Sequence, residues 1–142
     1  MAKEQIDEGN QLRIIKENQE KIKAAKPKKQ PYLSEDAIQQ LCYIWFHNTY
    51  PHLRGLLFHV PNGGSRNVIE AMKFKKIGVV AGVADLLFMN DGTIHCIELK
   101  TENGRQSAKQ VAWQKLVEHH NFNYYVVRSL GEFKDLIQEI LG

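Results

Sequence analysis

After Pro31, apolar residues recur at helical spacing. Ile38, Leu41, Cys42, Trp45 and Phe46 fall on one side of a 3.6-residue period, which predicts a helix from Ser34 to about Asn48 with that stripe in the core. Ser34 is a good N-cap, and Glu35 and Asp36 place negative charge in the first turn, where the helix dipole favours it. Pro51 ends the pattern, and Leu56-Leu57-Phe58-His59-Val60 reads as a short buried strand. A polar loop with adjacent glycines, Pro61 to Arg66, leads into a second helix from about Asn67 to Ile77. Asn67 and Glu70 form a cap pair there, and Gly78 supplies the stop.

Two strand-like runs follow, Ala84 to Met89 and Thr93 to Lys100, separated by Asp91-Gly92, a strong hairpin signal. Ser107 and Gln110 have capping-box spacing and open a helix carrying Val111, Trp113, Leu116 and Val117. Phe122 to Val127 is the last strand and Gly131 to Leu141 the last helix. This order predicts an α/β fold, a mixed β-sheet flanked by helices in which the hairpin is antiparallel.

Composition changes this picture at the N-terminus. Residues 1–30 hold 8 basic and 5 acidic side chains, an excess of three that equals the whole net charge of +3, so residues 31–142 are neutral. Few large apolar residues occur in this basic arm, and it ends in Lys26-Pro27-Lys28-Lys29. It reads as a helical or disordered, solvated segment, or as an arm that lies along phosphates or pairs with a second subunit. No apolar run is long enough to cross a bilayer, and the first residues lack the apolar core of a secretory signal, so a cytoplasmic location is expected. Cys42 and Cys96 stand apart from any metal-binding spacing and read as reduced thiols. His59, His95 and His119-His120 likewise lack ligand spacing, and Trp45 and Trp113 read as core.

The hairpin carries the chemistry. If Asp91-Gly92 is a two-residue loop, Met89 pairs with Ile94, Phe88 with His95, Leu87 with Cys96 and Leu86 with Ile97, and Asp85 then faces Glu98. Lys100, two residues beyond Glu98, shares that face, while His95 lies on the other. Opposed carboxylates at the end of apolar strands repel one another. Compensation can come from Lys100 in a structural salt bridge, from a shared proton, or from a divalent cation such as Mg²⁺. In the last case the ion would activate a water toward a phosphodiester, and Lys100 would orient that water or stabilise developing charge.

Gly82-Val83-Ala84-Asp85, Ile97-Glu98-Leu99-Lys100 and Gln110 on the next helix resemble the PD-(D/E)XK nuclease superfamily, with Ala84 where the name has Pro. More specifically, residues 34–130 resemble a small stand-alone VRR-Nuc domain, through His59-Val60-Pro61-Asn62-Gly63-Gly64, Glu98-Leu99-Lys100-Thr101, Gln110 with Trp113, and Tyr125-Val126-Val127-Arg128-Ser129.

The resemblance implies a restriction-endonuclease-like fold over residues 31–142 and Mg²⁺- or Mn²⁺-dependent hydrolysis of DNA, leaving a 5′-phosphate and a 3′-hydroxyl. It assigns Asp85 and Glu98 to the metal, Lys100 to catalysis, Gln110 to the site, and Glu35 to a water-mediated metal contact or to holding the lysine. Gln110 and Glu35 also have plain readings as cap residues. Asn62, Gly63, Gly64 and Arg66, with Lys73 and Lys76 downstream, are candidate nucleic-acid contacts; most glycine pairs are simply turns. Likeness to junction resolvases points to branched DNA such as Holliday junctions, to a homodimer with two sites, and to a bacterial or phage-encoded protein. The alternatives are a non-catalytic DNA-binding or assembly module on the same fold, and a nuclease indifferent to DNA structure.

Overall fold

The computed structural model describes residues 8–24, 32–61 and 67–142. The chain divides into two units, Met1–Tyr32 and Leu33–Gly142. In the first, α1 (Glu8–Ala24) is a helix whose side chains from Leu12 to Lys21 are all exposed, and Arg13 and Glu17 pair at 3.5 Å one turn apart. Such a pair contributes only a few tenths of a kcal/mol, about 0.3–0.5.

The second unit follows the order α2 (Glu35–Thr49), β1 (Leu57–His59), α3 (Val68–Lys76), β2 (Leu86–Asn90), β3 (Thr93–Leu99), α4 (Ala108–His119), β4 (Asn123–Val127) and α5 (Leu130–Leu141). A single 3₁₀ turn at Pro51–Leu53 links α2 to β1. Ser34, Asn67, Ser107 and Ser129 each accept a backbone N–H at the start of their helix, so the polar residues read as caps act as caps. The strands lie in the order β1-β2-β3-β4, antiparallel except for the parallel β3·β4 pair.

The β2–β3 ladder has the register that the turn demands. Leu86 pairs with Ile97, Phe88 with His95 and Asn90 with Thr93, while Asp91 and Gly92 both take positive φ, 47° and 77°. Both central residues of a type I′ turn need that conformation. The ladder ends at Leu86, one residue short of Asp85: the Leu99 N–H goes to the Asp85 side chain, while the Asp85 carbonyl accepts the Val60 N–H just past β1 at 3.1 Å.

Side-chain alternation divides the sheet between two cores. On one face α2 and α5 cover Leu86, Phe88, Ile97 and Leu99 with Ile38, Cys42, Phe46, Phe133 and Ile137. On the other, Trp113 and Val117 of α4 cover Ala84, Cys96 and Tyr124. His95 is buried on the first face against Tyr125, and burial pushes its pKa down. Trp45 meets Phe133 and Tyr50 edge-on, as a core residue would. Leu41 and Leu116 depart from the expected stripes: both remain exposed, because each lies on the outer flank of its helix. Glu98 and Lys100 lie on the α4 face at the strand end, among the few charged residues that the sheet buries.

Candidate active site

At the end of β3 the backbone delivers an acid and a base two residues apart onto one face. Glu98 is fully buried at 0% exposure and Lys100 nearly so at 6%. Asp85 comes from the bend before β2. Its Oδ2 accepts the Leu99 N–H at 2.8 Å, so the side chain takes a hydrogen bond just beyond the end of the ladder. This bond fixes the carboxylate beside Glu98. Burial first, and the Asp85 charge second, push the Glu98 carboxyl up to about 8, with Lys100 opposing.

Three side chains contact the Glu98 carboxylate besides Asp85. Gln110 Nε2 donates to Oε1 at 2.7 Å, Lys100 Nζ stands 3.5 Å from Oε1, and the Tyr124 hydroxyl donates to Oε2 at 3.3 Å. Gln106 Nε2 in turn donates to the Tyr124 oxygen at 3.1 Å, which aims the hydroxyl hydrogen at Glu98. Burial, with the Glu98 charge second, raises the Tyr124 pKa, so it stays a donor. Lys100 is shared: its Nζ is 3.4 Å from Oε1 of Glu35, which also sits in the first turn of α2. Glu35 is thus both a first-turn acid of α2 and a neighbour of Lys100.

Gln110 is likewise both things at once. Its Oε1 accepts the Ser107 N–H at 2.7 Å, closing the capping box, while the other end of the same amide holds Glu98. Gly82 sets the position of that helix. With φ +85° it takes a conformation side chains rarely adopt, and a Cβ there would collide with the Lys109 carbonyl and lie 2.9 Å from the Gln110 nitrogen. Arg128 secures the loop after Lys100, with Nη1 donating to the carbonyls of Thr101 at 2.7 Å, Gly104 at 2.8 Å and Glu102 at 3.2 Å.

A cleft of about 690 Å³ opens over these groups, lined by Glu35, Asp36, His59, Asp85, Lys109 and Gln110 among others. His59 donates from Nδ1 to the Asp85 carbonyl at 2.6 Å. Lys73 and Lys76 are exposed on α3. Asn62, Gly63, Gly64 and Arg66 lie outside the described residues. Sequence reasoning missed Tyr124, Gln106 and the loop-tying role of Arg128. The sequence signals were faint: a tyrosine two places before Val126, the parallel partner of Glu98, and an arginine just past that strand.

The site is rich in acids. Asp85, Glu98 and Glu35 are three carboxylates around one ammonium, Lys100. Among the described residues no group of three or more His, Cys, Asp or Glu forms a ready-made cage. Two adjacent carboxylates instead suit a hard cation that keeps waters and takes substrate phosphate oxygens, as Mg²⁺ does. Burial first and the Asp85 charge second disfavour the ionised Glu98, and such an ion would relieve that cost.

The family model for the VRR-NUC domain matches residues 33–130. A solved structure described as a VRR_NUC domain protein superposes with a TM-score of 0.66 at 23% identity, covering 79% of this chain and 91% of its own. Another, described as a VRR_NUC domain, gives a TM-score of 0.49 at 19% identity over 75% of this chain and 97% of its own. No curated protein matches the chain.

Proposed function

The chain belongs to the VRR-NUC domain family, a nuclease-type family, and on that premise we propose that it is a metal-dependent DNA endonuclease acting at the cleft lined by Glu35, Asp85 and Gln110. The observation that carries this reading is the excess of three carboxylates over one lysine around a single strand end. Ionising the buried Glu98 beside the partly buried Asp85 is costly, and a phosphodiester cannot approach two carboxylates unaided.

Asp85 and Glu98 would hold Mg²⁺ or Mn²⁺. When bound, such an ion supplies Lewis-acid polarisation of a phosphoryl oxygen and lowers the pKa of a coordinated water. The protein does the positioning. Leu99 N–H fixes Asp85, and Gln110 with Tyr124 fixes both oxygens of Glu98, so neither acid must reorganise when substrate arrives. Lys100, held between Glu35 and Glu98, presents a donor and a positive charge to a phosphate oxygen or to the attacking water. Lys109 adds a second cation at the cleft wall.

Branched DNA is the proposed substrate and a homodimer the proposed assembly. One cleft cuts one strand, so symmetric cutting of two strands needs a second copy. Labelled four-way, flap and linear duplexes should be incubated with the protein in Mg²⁺, in Mn²⁺ and in EDTA, beside Asp85→Asn. Cleavage of branched DNA that needs both the metal and Asp85 is the expected result. Absence of metal-dependent products overturns the enzyme reading, and equal cutting of linear duplex removes the preference for branches.

A further inference from the structure

We propose that the outward face of α3 docks DNA where base stacking is interrupted, at an end, branch or kinked step beside the phosphate held in the cleft; this rests on the nuclease reading above. Among the helices of the second unit, α3 and α4 contain no buried residue, and α3 is the one whose large side chains are the most exposed. Val68 is 74% exposed, Ile69 82% and Met72 56%. Phe74 is the half-buried side chain of this helix.

At helical spacing, Val68, Met72 and Lys76 follow one another along one line, and Ile69, Lys73 and Lys75 flank it within an arc of about 160°, away from Phe74. Apolar and basic groups therefore share one surface instead of opposing each other.

That mixture selects the occupant. Three lysines against Glu70 alone make the face cationic, so stacking α3 on α3 of a second copy would bring like charges together. A polyanion fits. The helix is also joined to the cleft at both ends: Pro61 before it and Ala81, Gly82 and Val83 after it line the cleft wall. A strand whose phosphate enters the cleft meets the segments that lead into and out of α3. In continuous duplex the apolar faces of the bases are covered by their neighbours, leaving Val68, Ile69 and Met72 nothing to pack against. Where a stack is broken, apolar side chains insert against the exposed base and favour the bent or open form. The lysines then hold any DNA through its phosphates, and the apolar residues supply the preference for interrupted stacks.

The test compares the full-length protein with Ile69→Ser/Met72→Ser and Lys73→Ala/Lys76→Ala, using fluorescence anisotropy in EDTA with a four-way junction and a linear duplex of equal length. Thermal unfolding should be unchanged, because all four side chains are exposed. The serine pair is expected to weaken junction binding about tenfold while leaving linear duplex almost untouched. The alanine pair should weaken both and lower the slope of log K against log salt by about 2.

In the serine pair, equal loss on both DNAs, or no loss on either, overturns the proposal. So does a fall in molecular mass by light scattering in the serine pair, which would make α3 a contact between copies, or serine-sensitive binding to phosphatidylserine vesicles without DNA discrimination. Cleavage distinguishes the two readings. Junction binding that depends on α3 but yields no products with Mg²⁺ removes the nuclease reading and keeps this one. Metal-dependent cutting with an unaltered preference in the serine pair does the reverse.

Discussion

Gln110 joins Glu98 to the start of its own helix: one amide donates to Glu98 Oε1 at 2.7 Å and accepts from Ser107 N–H at 2.7 Å. Gln110→Ala removes both bonds and leaves a buried carboxylate short of a donor, at a cost of about 1–3 kcal/mol. Urea unfolding measures that loss. Gln110→Glu keeps the cap oxygen but sets a charge against Glu98, and is expected to be worse for metal affinity than Gln110→Ala. If Gln110→Glu matched wild type in both measurements, the amide would not be positioning Glu98.

Gly82 offers a sharper control. Gly82 and Gly92 both have positive φ, 85° and 77°, but only at Gly82 does a Cβ meet a neighbour, the backbone of Lys109 and Gln110. Each alanine substitution should carry the cost of a left-handed backbone, about 1–2 kcal/mol. Gly82→Ala must in addition displace the first turn of α4, so it alone is expected to lower cleavage and metal affinity. Equal effects of the two substitutions would show that α4 does not set the site.

The Glu35–Lys100–Glu98 chain separates catalysis from folding. Lys100→Ala is expected to abolish cleavage while DNA binding persists, since Lys73 and Lys76 remain. Glu35→Gln removes one of the two partners of Lys100 and should lower activity by less. Glu35 is half-exposed, so its stability cost should stay within about 1 kcal/mol. A Lys100→Ala protein that is mainly unfolded, with no change in cleavage per folded molecule, would point to a structural salt bridge.

Stability without metal should depend on pH in a definite direction. Glu98 keeps its proton in the folded chain up to about 8, whereas an ordinary glutamate loses it near 4.5. Between those values the folded state binds more protons than the unfolded one, so stability falls as pH rises through the window and levels off above it. Unfolding midpoints in EDTA should show that decline, and Glu98→Gln should flatten it. A rise over the same range would contradict the burial of Glu98 beside Asp85.

Much of this arrangement is legible in the sequence, and the reasons are local. Asp91-Gly92 admits one tight turn, and that turn fixes the register that brings Asp85 toward Glu98 and puts Lys100 on the same face. Ser107 and Gln110 announce α4 through their spacing. Two things do not follow from local pattern. The parallel pairing of β4 with β3, which carries Tyr124 and Arg128 to the site, is decided by packing across a whole crossover. The end of the ladder at Leu86 goes with Leu99 N–H turning to the Asp85 side chain and Val60 N–H to its carbonyl, contacts from outside β2. The exposure of Val68, Ile69 and Met72 is equally hidden, because apolar helix residues ordinarily imply burial.

The central measurement is isothermal titration calorimetry with Mg²⁺ and with Mn²⁺, on the wild-type chain, Asp85→Asn and Glu98→Gln, each with and without a non-cleavable DNA. Saturable uptake by wild type that both substitutions abolish is the expected outcome. No uptake by wild type, even with DNA present, would mean that the paired acids are held by Lys100 and a shared proton alone.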